Sequence, residues 1–387
     1  MELTMHDTIG LEPRHHDFRE RVRSFSETEI EPAIEKYEER GEFPTELIDV
    51  LGDAGLYGIN VPEEFGGEGL DTRSFVIAVE EISRVYKLPA GVLSLSCGLI
   101  GHTLQNVGTE RQKEWLRDIF TENQITAVSL TEPQAGSDAN ALETTAERDG
   151  DEYILNGHKV WTTHGEIADL ILVVARTDDT GNHNDVSMFA IPDPQEYDGL
   201  KFIRNIPCME GDAAVESEVI YDDVRLPAEF LVGEEGKGFQ YIMQALDIGR
   251  IGVAAQAVGI TQGCLDASTE YADEREQFGQ PIRDFQGVSF KLADMKMNLE
   301  ASRLLTYQTA ARLDGGADSV TQEASMAKTF ATDVAMDAAT EAVQIHGSRG
   351  YSTDYPVERY MREAKGTQIY EGTNEVNRTV IARDLYE

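Results

Sequence analysis

The chain has 387 residues, 41% of them apolar, which is enough for a substantial core divided among two or three packed subdomains and excludes disorder over its length. Asp and Glu total 71 against 33 Lys and Arg, a net charge of -38 distributed along the whole sequence. Such a surface repels nucleic acid phosphates and anionic lipid, so DNA, RNA and membrane binding are set aside. The size of the excess favours adaptation to a high-salt cytoplasm over a merely solubilising acidic surface.

Residues 1–10 are acidic and lack an apolar core, so they do not read as a signal peptide, and no run of about 18 apolar residues marks a membrane span. A soluble, cytoplasmic protein is expected. From about residue 14 to 122, apolar residues recur at three and four, as in Leu47, Val50 and Leu51 and in Phe75, Val76, Val79 and Ile82. With breakers at Gly41 to Pro44 and at Phe65 to Gly67, this predicts several helices joined by short loops. From about 123 to 233 the pattern changes to short β-branched runs at 125–130, 153–155, 170–175 and 186–191. Asp149-Gly150 reads as a hairpin turn, and Pro192, Pro194 and Pro207 mark strand ends. A small antiparallel β-domain is predicted. Residues 238–275, 284–313 and 319–345 are long, nearly unbroken helical stretches that predict a four-helix bundle. The expected fold class is therefore α+β, with a helical domain over 1–122, a β-domain over 123–235 and a helical bundle over 236–387.

Several chemistries lack their signatures. No G-x-G-x-x-G follows a strand, and Gly233 to Gly238 fits neither that spacing nor a P-loop. No G-x-S-x-G elbow occurs, and the eight His form no metal-ligand pattern, so no metal is expected. Cys97, Cys208 and Cys264 are far apart in sequence and odd in number, and read as free thiols in a reducing compartment.

Four segments carry chemistry. Leu130-Thr131-Glu132-Pro133 to Ser137-Asp138 is a strand running into a Pro/Gly turn bearing hydroxyls. Gly157 to Thr163 is a strand with one Trp. Leu246-Asp247-Ile248-Gly249-Arg250 and Glu274 to Gly279 are charged stretches around a helix whose end is placed at Gly279. Last come Gln344 to Tyr351, Tyr355 to Arg359, and Ile369-Tyr370-Glu371-Gly372-Thr373-Asn374-Glu375. In this order and spacing, the four segments resemble the acyl-CoA dehydrogenases over nearly the whole chain. That resemblance implies FAD as cofactor, an acyl-CoA as substrate, electron-transfer flavoprotein as the acceptor of the electrons, and a homotetramer built as a dimer of dimers.

The resemblance also implies roles for single residues. Val128, Leu130, Thr131 and Ser137 contact the flavin, with Ser137 also near substrate. Trp161 packs on the isoalloxazine, and Thr163 places its hydroxyl near N5. Asp247, Arg250, Tyr370 and Gly372 line the acyl-CoA site. Arg275, Phe278, Gln286, Gln344, Gly347, Thr373 and Glu375 contact FAD, partly across a subunit boundary. Glu371 is the base that removes the α-proton while the flavin takes the β-hydride. Some relatives carry their base on the first long bundle helix, where this chain has Gly249 and no side chain to serve. One departure is Ser348, where many relatives have a second Gly. Two other functions are weighed: an acyl-CoA oxidase, against which the chain length argues, and a non-catalytic flavoprotein scaffold, against which the presence of Glu371 argues. In the glutaryl-CoA branch an Arg pairs with the second carboxylate. The matching position is Ala90, so glutaryl-CoA is not expected as a substrate, although Lys87 is nearby in sequence.

Overall fold

In the computed structural model, residues 10–178, 180 and 183–386 are described. The helices are α1 (Pro13–Phe25), α2 (Ile34–Arg40), α3 (Thr45–Asp53), α4 (Thr72–Ser83), α5 (Lys87–Leu93), α6 (His102–Val107), α7 (Glu110–Thr121), α8 (Gly238–Glu274), α9 (Gln286–Asp314), α10 (Thr321–His346), α11 (Val357–Thr367) and α12 (Asn374–Asp384). Between α7 and α8 lie β1 (Thr126–Ser129), β2 (Thr145–Asp149), β3 (Glu152–Thr163), β4 (Leu170–Arg176), β5 (Val186–Pro192), β6 (Leu200–Asn205) and β7 (Glu216–Pro227). A two-residue pair, β8 (Glu276–Gln277) and β9 (Gln280–Pro281), separates α8 from α9. The arrangement is a helical N-terminal domain, a middle β-domain and a helical C-terminal domain. No described helix is long and apolar enough to cross a membrane.

By packing, the chain forms two compact units. Of the described residues, one comprises 10–36, Asp71–Gly91 and 250–386; the other comprises those within Tyr37–Leu70 and Val92–Gly249. In the first unit, α4 begins where the Asp71 carboxylate accepts the Ser74 amide at 2.9 Å, a side-chain N-cap. Its apolar face, Phe75, Val76, Val79 and Ile82, is fully buried, as the three-and-four spacing predicts. Helix α8 crosses it at glycines. A Cβ on Gly259 would lie 2.2 Å from the Glu80 carbonyl oxygen, so only glycine permits this approach. The core is rich in alanine, with Ala254, Ala257 and Val258 on α8 and Ala327, Ala331, Ala335, Ala338 and Ala342 on α10. Small side chains let these helices pack closely at little cost in rotamer entropy.

Under α4 lies a buried ionic cluster. Glu80 accepts from Arg19 at 3.0 Å, from Arg303 at 2.9 Å and from the Tyr307 hydroxyl at 2.5 Å. Burial opposes ionisation of Glu80, but the two guanidiniums outweigh it and hold the carboxyl well below the usual range. The cluster ties α1, α4 and α9 together with every carboxylate oxygen of Glu80 satisfied.

In the second unit the sheet is mixed rather than wholly antiparallel, with strand order β1-β4-β2-β3-β7-β6 and β5 on β4. β4 runs parallel to β1 and to β2, and antiparallel to β5. The reason is visible in β4 itself. Its first six residues, Leu170 to Ala175, are all buried, so both of its faces are covered, and such a strand tolerates parallel neighbours. The predicted hairpin forms between β2 and β3, its two-residue loop being Gly150-Asp151. β2, β6 and the twelve-residue β7 lie outside the predicted runs. Likewise α8 stops at Glu274, and Gly279 belongs to a hairpin, not to a helix end. Phe278 and Gly279, at φ 53° and 83°, form the two-residue loop between β8 and β9, where both residues need positive φ.

Candidate active site

In the second unit the predicted flavin residues gather at the ends of β1 and β3. Val128 is half-buried on β1, opposite Leu172 of β4, and Leu130 and Thr131 follow it. The Thr131 carbonyl accepts the Val160 amide at 2.9 Å, and Ser129 shares a hydrogen bond with Thr162 at 3.1 Å. Past the strand, Glu132 is buried at 3% exposure. It accepts from the Thr144 amide at 2.9 Å, the Glu143 amide at 2.6 Å and Lys159 Nζ at 2.9 Å. Lys159, itself fully buried, also donates to the Leu130 carbonyl at 2.9 Å. Burial opposes ionisation of Glu132, yet Lys159 and the Thr144 and Glu143 donors bring the carboxyl to about 2. This pair pins the turn that carries Ser137, which is exposed.

β3 breaks register between Lys159 and Thr162, opposite β7. Trp161 occupies the irregularity at φ 59°, a left-handed conformation that a bulky residue adopts only under strain, and it is 50% exposed. The bulge turns the indole outward while Thr162 returns to the core. Next to it, the Thr163 hydroxyl donates to Glu216 at 3.0 Å. Asp247 is half-buried and Gly249 buried, and Gly98 lies against the Gly249 backbone.

In the first unit, Tyr370, Glu371 and Gly372 form the link between α11 and α12. Glu371 and Gly372 both have left-handed φ, 56° and 88°. Thr373 caps α12 by accepting the Val376 amide at 3.3 Å, and Glu375 is exposed in the first turn. Arg250, 5% exposed, points Nε at the Glu371 carbonyl, 3.4 Å away. The Tyr370 hydroxyl donates to Gln256 at 2.7 Å, and the Lys87 ammonium stands 5.1 Å from the Tyr370 ring centroid. Glu371 is only partly exposed, and its Oε2 is buried without a hydrogen-bond partner. Burial pushes the carboxyl up to about 7, against Arg250 and Lys328, which both favour the anion. Such a group can take and give a proton near neutral pH.

The remaining predicted residues stand apart from this link in sequence and surroundings. Arg275 precedes the β8–β9 hairpin, Phe278 at its tip is 95% exposed, and Gln286 is exposed at the start of α9. Gln344 is exposed in the last turn of α10, and Gly347 ends that helix with φ 60° and ψ −133°, a conformation reserved for glycine. Glu132, Lys159, Glu216, Gln256 and Lys328 were not among the predicted site residues. A lysine at an otherwise apolar position was the available signal for two of them. Lys159 falls in the buried alternation Tyr153, Leu155, Lys159, and Lys328 in the alanine stripe of α10.

The chain matches the family descriptions "Acyl-CoA dehydrogenase, N-terminal domain" over residues 12–123, "middle domain" over 127–224 and "C-terminal domain" over 236–386. It is 40% identical to the short-chain specific acyl-CoA dehydrogenase of Clostridium acetobutylicum, over 95% of this chain and 97% of that one. It is 41% identical to the CarC subunit of the caffeyl-CoA reductase-Etf complex of Acetobacterium woodii, over 94% and 96%. The solved butyryl-CoA dehydrogenase of Megasphaera elsdenii superposes with a TM-score of 0.92 at 40% identity, covering all of both chains. The chain belongs to the acyl-CoA dehydrogenase family and is an oxidoreductase.

Proposed function

We propose that the protein catalyses FAD-dependent α,β-dehydrogenation of a short, straight-chain acyl-CoA, giving the trans-2-enoyl-CoA, with electrons passed on to an electron-transfer flavoprotein. The observation that carries this reading is the Glu371 carboxyl, held on a left-handed link with Oε2 buried and unpartnered and its pKa raised to about 7.

The residues present suit a flavin. The half-exposed Trp161 offers a flat apolar face at a strained bulge, and the exposed Ser137 follows Gly136, around which a Cβ would meet nothing within 4 Å. Val128, Leu130, Thr131, Ser137, Trp161 and Thr163 would hold the ring system. Arg275, Phe278, Gln286, Gln344, Gly347, Thr373 and Glu375 would hold the rest of the dinucleotide, some of them from a neighbouring subunit of a dimer of dimers. Phe278, large, apolar and 95% exposed, is the residue that most calls for such a cover. When bound, FAD supplies the acceptor for the β-hydride. The chain's own work is to hold the thioester and move the proton. Arg250, Asp247, Tyr370 and Gly372 orient the acyl-CoA. The Glu371 amide polarises the thioester carbonyl, and Glu371 Oε2 takes the α-proton. Loss of one proton and one hydride leaves the carbon–carbon double bond. The same groups serve the reverse reaction, and the name of the Acetobacterium relative, a reductase subunit, makes that direction worth assaying.

Glu371→Gln tests the assignment. The variant is expected to retain FAD and bind acyl-CoA while losing flavin bleaching by roughly three orders of magnitude or more in anaerobic stopped flow. Near-normal bleaching would overturn it.

A further inference from the structure

Lys328 is the one lysine on the buried alanine face of α10, and it is fully buried. An ammonium in such a place is costly unless it is used. Its Nζ donates to the Gly372 carbonyl at 2.9 Å and to Asn374 Oδ1 at 2.9 Å. Asn377 Nδ2, from α12, donates to the same Gly372 carbonyl at 2.8 Å. Asn374 is in turn fixed by donating to Asp333 at 2.8 Å and to Thr332 at 2.9 Å. The two successive left-handed residues thus have both carbonyls gripped: Glu371 by Arg250 of α8, and Gly372 by Lys328 of α10 and Asn377 of α12.

A neutral donor would suffice to hold a carbonyl. The choice of a cation has a further consequence, because charged groups act on Lys328 from the link and from three helices. They are Glu371 on the link, Arg250 on α8, Asp333 on α10 itself and Glu375 on α12. We propose that Lys328 is a positioning residue for the base: it locks the link that carries Glu371 and sets the charge against which Glu371 takes up a proton. This rests on the reading of Glu371 as the base. The electrostatics agree. Burial pulls the Lys328 ammonium down to about 7 while Glu371 pulls it up, so ammonium and carboxyl titrate in the same range and each favours the other's charged form.

Two substitutions separate grip from charge. Lys328→Gln keeps a donor for Gly372 and drops the charge; Lys328→Met drops both. In each holoenzyme the rate of flavin bleaching by butyryl-CoA is followed from acid to alkaline pH by stopped flow, beside the wild type and Glu371→Gln. Loss of the cation makes Glu371 harder to ionise. The acid limb of the Gln variant should therefore move up by about one pH unit, with acyl-CoA affinity within about twofold and the alkaline plateau largely recovered. The Met variant, if it folds, should show the same shift with a lower plateau. A limb that stays in place while the rate falls equally at every pH would make Lys328 purely structural and overturn the proposal. Should Glu371→Gln still bleach, the base assignment itself falls. If that variant is inactive and the Lys328→Gln limb has not moved, only the role of Lys328 falls.

Discussion

Lys159 Nζ and Glu132 Oε1 stand 2.9 Å apart with side chains 0% and 2% exposed, joining the middle of β3 to the turn that follows β1. Taking one partner from a buried pair strands the other's charge, which costs about 3–5 kcal/mol. Lys159→Met is expected at the lower end of that range, because Thr144 and the Glu143 amide still donate to Glu132. Adding Glu132→Gln should recover part of the loss. The sign with pH is definite. Glu132 has its folded pKa depressed to about 2, so in the wild type its contribution is present above its ordinary carboxylate pKa and is lost as pH falls toward 2. In Lys159→Met the stranded carboxylate can be relieved by protonation, so the deficit should shrink below about pH 4.5. Urea unfolding of wild type, single and double variants at neutral and acid pH checks this. An equal deficit at both would refute it.

The carboxylate proposed as the base should itself cost stability. Glu371 has its folded pKa raised from an ordinary carboxylate value to about 7, so the native state prefers it protonated. No penalty applies at pH well below about 4.5, where folded and unfolded chains both hold the proton. The penalty grows between there and 7, and is complete above 7. Glu371→Gln removes it. The variant should match the wild type in acid and exceed it at pH 8 by about 2 kcal/mol, a figure below the full shift because the residue is partly exposed. Calorimetric or urea stability of the holoenzymes at both pH values decides, and a variant no more stable at pH 8 counts against the raised pKa.

Much of this was legible beforehand, and the gaps have physical causes. The helices of α4 and the bundle followed from a three-and-four apolar spacing that burial on one face enforces. The mixed sheet did not, because composition records that β4 is buried on both faces but not the direction of the strands beside it. Arg275 to Gly279 read as the end of a helix because Gly279 suits a C-cap as well as a hairpin loop; the register of Gln277 against Gln280 decides between them. Glu371 is singled out by its neighbours in sequence. Lys328, 43 positions earlier and hydrogen-bonded to the next residue, had no local signal beyond being a cation among alanines. The left-handed φ of Trp161 was equally hidden, since nothing in the residue type invites it.

Substrate choice can be tested at Ala90. It is fully buried and its methyl group offers no charge or hydrogen bond to a second carboxylate, and Lys87, 6% exposed, has its ammonium over the Tyr370 ring. A buried carboxylate without a partner loses several kcal/mol. Butyryl-CoA should reduce the flavin with a kcat/KM at least about 100-fold above that for glutaryl-CoA. If glutaryl-CoA proves better, Lys87 becomes its candidate partner, and Lys87→Met should abolish the preference.

Stability and assembly should depend on salt. With a net charge of -38 on 387 residues, like charges repel across the folded surface, and any assembly of subunits brings more of them together. The charge is spread rather than confined to a tail, so no single segment can fold away from it. Many of the described cations are already spent in ion pairs: Arg19 and Arg303 on Glu80, Arg73 on Asp314, Arg225 on Asp149 and Glu152. They leave the acidic excess to be screened by solvent. At about 1 M salt the Debye length falls to roughly 3 Å, shorter than most separations between surface carboxylates, and the repulsion is largely removed. The buried pairs are screened far less and should keep their strength. Melting temperature and oligomer size, followed by calorimetry and light scattering, should therefore both rise steeply from low to molar KCl. A melting temperature flat across that range would show that the acidic surface is carried without being relied upon, and would end the high-salt reading.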